Sequence, residues 1–392
     1  MFLTVNAGSS SLKVAVFDEA STDEPRLSVS IEGIGTYDAH LIPDGEYGSV
    51  DTQLIAASDH GVAARVAIQW LKAEGVASAD VRGVGHRIVH GGETYSGPVV
   101  IDDEVYEQLH ALVPLAPNHT PVILQCLEVF RQYFNRVPHV ACFDTAFFHD
   151  LPAVAQTIAV PAELRDSGVR RYGFHGLSYE YILSDFTQHE GEAAAYGRVI
   201  MAHLGSGASL AAVKDGKPVD TTMGFTPASG IVMSTRTGDI DPGLIDYLLR
   251  ERNMTLTDVS QLVYKQSGLL GVSGTTADMY TLLQQRHEDK RADLAVDLFC
   301  YTITKTIGAY AAAMGGVDSI IFSAGIGERS ATIRRQITDR LGFLGIVIDD
   351  ERNERGDRLI SAEHSRIGVH VIPTHEDTII AVKTIRLCKE VL

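Results

Sequence analysis

Cysteine is scarce and scattered. Cys126, Cys142, Cys300 and Cys388 are the only four in 392 residues. None makes the close pair that chelates zinc or exchanges disulfides, so a reducing, cytoplasmic setting is expected. Positive charge is also short: 33 lysines and arginines face 50 aspartates and glutamates, a formal net charge of −17. A polyanion would meet net repulsion, which argues against nucleic acid as a partner. A small anion would need a local cluster of arginines. No apolar run approaches the ~18 residues of a membrane span, so no membrane partner is expected. Met1-Phe2-Leu3 has no basic lead and Lys13 interrupts the first apolar run, so no signal peptide is expected. Two common nucleotide signatures are missing. No G-x-x-x-x-G-K-[ST] occurs, and Gly325-Ile-Gly327 fails as G-x-G-x-x-G because Ser330 replaces the third glycine.

What is present is organised around Phe2 to Asp18, FLTVNAGSSSLKVAVFD. An apolar run meets the small polar cluster Asn6 to Ser11, and alternation resumes through Leu12, Val14, Val16 and Phe17. That pattern predicts strand, tight turn, strand. Gly8 and the serines would let a phosphate approach backbone N–H groups. Residues 199–215, VIMAHLGSGASLAAVKD, repeat the pattern at an offset of 197, placing Gly8 on Gly205, Ser9 on Ser206 and Asp18 on Asp215. Two related domains facing one cleft are expected, against the alternative that two hairpins look alike by chance. The length agrees, at roughly 100–200 residues per domain.

Further along, helices are expected over 58–74, 101–113, 122–134, 177–187, 244–250, 290–314 and 330–341. Strands are expected over 27–31, 39–42, 80–90, 137–143, 319–323 and 369–372, with a short strand ending at Val347-Asp350. In the long helix Leu294 counts among the apolar positions. Thr221 to Gly243 and Ser267 to Asp278 read as loops, the first long enough to be functional. The segment Thr378 to Leu387 fits a terminal strand or helix. Arg329, Arg334, Arg335 and Arg340 read as a solvated basic face.

Three glycine-rich elements follow apolar strands: Gly8, Gly205-Ser-Gly207 and Gly325-Ile-Gly327. Each could cradle phosphate, and together they favour a nucleotide enzyme over a binding module. Oxygen ligands for Mg²⁺ would come from Asp144, Asp239, Asp241, Glu328, Glu376 and Asp377. Asp144 ends an apolar strand, where a carboxylate faces a cleft or cation or caps a short helix at 145–149. Arg87 and Arg236 sit among glycines, where their planar forks suit carboxylate or phosphoryl oxygens, the plain alternative being structural salt bridges. His119 and His175, each beside a Pro or Gly turn, could donate to a transferring group or simply pack.

The chain closely resembles the acetate kinase family, within the sugar-kinase, Hsp70 and actin superfamily. The resemblance runs from Phe2 to about Ile380. It rests on Asn6-Ala-Gly-Ser-Ser-Ser-Leu-Lys13, Gly85-His-Arg-Ile-Val-His-Gly-Gly-Glu93, Phe143-Asp-Thr-Ala-Phe147, Tyr172-Gly-Phe-His-Gly176, His203-Leu-Gly-Ser-Gly207, Met223-Gly-Phe-Thr-Pro227 and Thr235-Arg-Thr-Gly-Asp-Ile-Asp-Pro-Gly243. It implies an α/β, two-domain actin-like (ribonuclease H-like) duplicated fold with a central cleft. The first domain would span 1–144, completed by 378–392, and the second 145–377. The implied reaction is reversible, Mg²⁺-dependent (Mn²⁺ also serving) phosphoryl transfer between ATP and acetate, giving ADP and acetyl phosphate. A homodimer is implied.

By the same resemblance Arg87 and Arg236 match the paired active-site arginines, Asp144 the catalytic aspartate, and His175 and His119 the principal and auxiliary histidines. Asn6 and Glu376 match the magnesium-associated residues. Lys13, His203, Gly205, Ser206, Gly207, Asp278, Gly325 and Gly327 match the nucleotide site. Val89, Asn118, Phe174 and Pro227 fall at the acyl pocket. A carboxylate is ionised at neutral pH, so no strong general base is needed, and positioning with electrostatic stabilisation should carry catalysis.

Several positions depart from the family pattern. Ser206 replaces an asparagine in the phosphate loop, Asn118 a leucine of the acyl pocket. Gly176-Leu-Ser-Tyr179 stands where Gly-Thr-Ser-His is common, and Ser323-Ala324-Gly325 where Thr-Gly-Gly is usual. These leave room for propionate or another short acid as substrate, and for pyrophosphate as donor. A rival of another class is a catalytically silent nucleotide-binding sensor.

Overall fold

The computed structural model describes residues 1–45 and 51–391, so 46–50 of the polar stretch 19–50 lie outside the described residues. The alternating apolar residues at the start form β1 (Phe2–Ala7) and β2 (Ser11–Phe17). They pair antiparallel, Phe2 opposite Phe17 and Ala7 opposite Leu12, across the turn at 8–10. β3 (Leu27–Glu32), β4 (Ala39–Gly45) and β5 (Gln53–Ile55) extend one side. β6 (Gly83–Ile88), β7 (Val99–Val100) and β8 (His139–Phe143) extend the other, giving the order β5-β4-β3-β2-β1-β6-β8-β7.

The second hairpin is β9 (Arg198–Leu204) and β10 (Ala208–Lys214), with 205–207 as its turn. β11 (Lys217–Thr221) follows across Asp215-Gly216, both at positive φ, as a two-residue Asp-Gly hairpin requires. β12 (Ser319–Ser323) and β13 (Gly368–Val371) complete a sheet of order β11-β10-β9-β12-β13. The five strands β3-β2-β1-β6-β8 of the first sheet run in the same order and the same sense. In each set the hairpin is antiparallel, and its first strand pairs parallel with a later strand and that with the next. The fold is thus a duplicated α/β one, and the sequence repeat maps onto matching three-residue turns.

The chain divides into two compact units, Met1–His149 with His375–Leu392, and Asp150–Thr374. Glu376 and Asp377, which the resemblance assigns to the second domain, thus belong to the first unit. In that unit the helix Glu376–Val391 packs on β1 and β6. It does so because Gly83 and Gly85 have no side chain. A Cβ on Gly85 would lie 2.1 Å from Thr384 Oγ1, and one on Gly83 2.5 Å from Cys388 Sγ. Two glycines in β6 therefore set where Glu376 and Asp377 stand. In the second unit the helix Lys290–Met314 packs on β9 and β10, with Phe299, Ile303 and Ile307 buried.

Several expectations need correction. The stretch Ser267 to Asp278 contains the helix Gly268–Ser273, after a π-helical turn over Leu262–Gln266. Leu269 is buried, and its N–H donates to the Met233 carbonyl, so tertiary packing overrides weak local propensity. Gly325 and Gly327 lie in the helix Ala324–Arg329, not in a loop. Val347 to Asp350 is not a strand. Asp349 caps the helix Asp350–Arg355, and Ile348 makes only one bridge, to Ser361. Asp144 is not a helix cap, since the short helix Ala146–Phe148 starts at Thr145 without side-chain help. Leu294 is exposed, and Arg334, expected in solvent, is 1 % exposed. The terminal segment 378–387, which fits strand or helix by sequence, is helical.

Candidate active site

In the first unit, β1, β6 and β8 lie side by side and the helix Glu376–Val391 begins beside them. Asn6 comes from β1, Arg87 from β6, and Asp144 follows β8 directly. The Asp144 backbone N–H donates to the Ile88 carbonyl, extending the strand pairing by one residue. Arg87 Nη2 donates to Asp144 Oδ2 at 2.6 Å, and Nε to Oδ1 at 3.0 Å. Arg87 Nη1 donates to Asn6 Oδ1 at 3.0 Å, and Asn6 Nδ2 donates to Glu376 Oε2 at 3.0 Å. The Asn6 amide therefore bridges a cation and a carboxylate. Lys13, from β2, pairs with Asp377 at 2.7 Å.

Burial opposes the charge on Arg87, yet Asp144 and Glu376 hold its guanidinium above the ordinary value. Burial pushes the Asp144 carboxyl up, against the pull of Arg87. Burial likewise raises Asp377, with Lys13 opposing. Three carboxylates, Asp144, Glu376 and Asp377, thus sit close to one arginine and one lysine, and burial works against the anionic forms of Asp144 and Asp377. Asp377 Oδ1 is buried with no hydrogen-bond partner among the described residues. Among the described residues no group of three His, Cys, Asp or Glu side chains holds an ion by itself. An all-oxygen set with one orphaned carboxylate oxygen fits Mg²⁺, which keeps several waters and takes few protein ligands. Val89 is buried just past β6, while Asn118 is exposed in the turn before the helix Thr120–Tyr133, and His119 starts that helix without capping it.

In the second unit the turn after β9 carries Gly205, Ser206 and Gly207. The Gly205 N–H closes this turn onto the Gly207 carbonyl, as the Gly8 N–H closes the first turn onto Ser11. Neither amide is therefore presented to a phosphate. Room is what Gly207 supplies: a Cβ there would lie 3.4 Å from His175 Nε2 and 3.6 Å from Arg236 Nη1. The heads of His175 and Arg236 thus converge on one point of the turn. Arg236 is steadied by donating to the Pro227 carbonyl at 3.0 Å. His175 starts the helix Gly176–Glu190 with left-handed backbone, φ 61°. Its ring stacks on His203, centroids 4.2 Å apart. Phe174, the residue before it, is buried.

A cavity of about 610 Å³ adjoins this turn, lined among others by Gly205, Ser206, Asp278, Gly325, Ile326 and Arg329. Its volume suits a small organic ligand. The Asp278 carboxylate caps the helix Met279–Gln285 rather than pointing out as a free ligand. Gly325 lines the cavity from the helix Ala324–Arg329. Gly327 is buried on that helix, its carbonyl held by Arg334. Asp239 accepts from Gly230, Asp241 caps the helix Pro242–Arg250, and Glu328 accepts from the Thr374 N–H. Sequence reasoning missed the hydroxyls behind the histidines. Ser178 bonds His203 Nδ1 at 2.8 Å and Thr374 at 2.7 Å, and Ser209 bonds His175 Nδ1 at 2.9 Å. Serines in such strings carry no local signal, although Ser209 follows Gly207 by two and Ser178 follows His175 by three.

The duplicated sheets and paired turns define a fold of the actin-like kinase kind. A family model described as the acetokinase family matches residues 1–382. Acetate kinase of Rhodopseudomonas palustris is 43 % identical over 97 % of this chain and 96 % of its own. Acetate kinase of Rickettsia akari is 39 % identical over 98 % and 99 %. The solved propionate kinase of Francisella tularensis superposes with a TM-score of 0.91 at 33 % identity, covering 98 % of each chain. The Porphyromonas gingivalis acetate kinase structure gives 0.88 at 35 %, covering 98 % and 99 %. The chain belongs to the acetokinase family.

Proposed function

We propose that this protein is an acetate kinase, transferring the γ-phosphoryl group of ATP reversibly to acetate. The reading is carried by the convergence of His175 and Arg236 on the open Gly207 turn, beside a cavity of nucleotide size, in a chain of this family. In the forward direction an acetate oxygen attacks the γ-phosphorus, the bond to the ADP oxygen breaks, and the electron pair leaves with ADP. No proton need move at the carboxylate. Arg236 and His175 would donate to the oxygens of the transferring group, and the 610 Å³ cavity would take the adenosine. Arg87, held rigid by Asp144 and Asn6, retains one N–H on each terminal nitrogen beyond the bonds described, available to anionic reactants. Asp144, tied up by Arg87, orients and does not accept a proton. Glu376 and Asp377, with Asn6 and Asp144 close by, would hold Mg²⁺, which when bound would supply neutralisation of phosphate charge. The two compact units are taken as the N- and C-terminal actin-like domains.

Propionate is the second reading, favoured by the 0.91 superposition on a propionate kinase. One methylene is worth only ~1–3 kcal/mol in such a pocket. A homodimer is supported by the helix Pro242–Arg250, whose Leu244 and Tyr247 are exposed and which buries no residue. Sedimentation at graded concentrations tests that. The function is tested by trapping product with hydroxylamine from acetate, propionate and butyrate, each with Mg-ATP or with pyrophosphate. Acetyl hydroxamate with ATP is expected. Product only from a longer acid, or only with pyrophosphate, would replace the substrate or the donor. Nucleotide binding with no product from any acid would favour the sensor.

A further inference from the structure

Behind the His175 ring stands a buried relay. Tyr179, one helical turn further along Gly176–Glu190, is fully buried. Its hydroxyl lies 2.6 Å from Ser209 Oγ, and Ser209 Oγ lies 2.9 Å from His175 Nδ1. Ser209 itself is fixed on β10, opposite His203 of β9. Three side chains from one helix and one strand thus form a single file ending on the imidazole.

The direction of the file follows from acidity. A phenol is a far stronger acid than an aliphatic alcohol and is the better donor. Tyr179 O–H therefore donates to Ser209 Oγ, and the Ser209 O–H is left to donate to His175 Nδ1. Burial pushes the Tyr179 phenol well up, with its contacts to Ser209 and the His203 backbone opposing, so the donor proton stays in place through the working pH range. An imidazole that accepts at Nδ1 carries its proton on Nε2. Nε2 is the atom that faces the Gly207 turn.

We propose that Tyr179, acting through Ser209, is a positioning residue that fixes His175 as its Nε2–H tautomer. The inference rests on the acyl-phosphate kinase reading above and deepens it. With the opposite tautomer Nε2 would present a lone pair to an anionic phosphoryl group, which is repulsive. With Nε2–H it presents a donor already aimed, at no cost of reorientation during transfer. The left-handed backbone at His175 is the kind of conformation that persists where the surroundings over-determine it, and the relay with the His203 stack supplies that determination. The relay also gives a purpose to a tyrosine buried behind the His175 ring.

The test uses the full-length protein labelled with ¹⁵N-histidine, comparing wild type, Tyr179→Phe, Ser209→Ala and the double variant. The His175 signals are assigned by their loss in His175→Gln. Wild type should show His175 protonated at Nε2 alone. In Tyr179→Phe the signals should shift toward mixed tautomers, kcat should fall about tenfold, and KM for carboxylate and ATP should stay within about twofold. The double variant should be no slower than Ser209→Ala alone, because the two act in series. An unchanged tautomer in Tyr179→Phe, an unchanged kcat, or additive losses would overturn the relay. If wild type phosphorylates no carboxylate, the functional reading fails separately, while the tautomer comparison still decides the relay.

Discussion

Arg87 and Asp144 meet as a fork on a carboxylate, Nη2 to Oδ2 at 2.6 Å and Nε to both oxygens at 3.0 and 3.1 Å, with Asp144 only 1 % exposed. Replacing Arg87 with alanine strands a buried carboxylate and removes a preorganised donor. Turnover should fall by at least ~10²-fold. The stability lost should also depend on pH. Burial already raises the Asp144 carboxyl, and without Arg87 it rises further. A raised carboxyl contributes stability below its unfolded value of 3.8 and loses it as pH rises. Arg87→Ala should therefore be closest to wild type in denaturant midpoint under acid conditions and furthest at pH 8. Near-normal turnover would remove Arg87 from the site.

Gly207→Ala tests the open point in the second turn. Gly207 is not among the glycines at positive φ, so alanine suits the backbone. Its Cβ would occupy the space before His175 Nε2 and Arg236 Nη1. Circular dichroism and melting should be unchanged while kcat falls roughly ten- to a hundredfold, the scale of a small misplacement at a reacting centre. Full activity would show that nothing passes there.

A buried histidine pair predicts acid sensitivity. His86 Nε2 lies 2.9 Å from His139 Nδ1, and His139 Nε2 faces the Phe134 carbonyl. Burial lowers His86 well below its usual value and His139 to about 4. The unfolded chain binds protons near 6.5, so stability is full above that and is lost as pH falls toward 4. The loss should be on the order of 2–3 kcal/mol for His139. Urea titrations at pH 7, 5.5 and 4.5 should show it, and the double variant His86→Leu, His139→Leu should flatten the slope. An equal slope in that variant would place the acid sensitivity elsewhere.

Arg334 is the residue that sequence reasoning misplaced most. Its spacing among Arg329, Arg335 and Arg340 resembles a solvated face, and Arg335 does pair at the surface with Asp350. Arg334 instead turns inward and donates to Asn353 Oδ1 and to the carbonyls of Gly327, Glu328 and Asn353. It thereby ties off the helix Ala324–Arg329, which lines the nucleotide-sized cavity. Arg334→Met should cost about 3 kcal/mol or more, since charged hydrogen bonds are lost and acceptors stay buried. ATP affinity should weaken with it. A stable variant with normal ATP binding would refute the anchoring role.

These cases show which parts of the molecule were legible in advance. The hairpins at Phe2–Phe17 and Arg198–Lys214 were legible because period-two alternation, a glycine turn and a fixed offset repeat together. The partners Arg87 and Asp144 stood out because charge beside glycine or at a strand end is locally odd. Tyr179, Ser209 and Ser178 did not, because their meaning lies in register between a helix and a strand. The helices at 268–273 and 324–329 were invisible to composition. Small residues read as loop until packing against Met233 or the grip of Arg334 decides otherwise.

Asn6 and Glu376 hydrogen-bond across 370 positions of sequence, and the two β6 glycines admit the helix that brings Glu376 there. During synthesis the first sheet can form early, but its acidic cluster stays incomplete until the chain has been made past residue 376. A nascent or clipped product ending before residue 376 would retain the turns and arginines while lacking two of the carboxylates proposed to hold the metal. Such a fragment should be silent toward Mg-ATP, so the two ends of the first unit must meet before the reaction can begin.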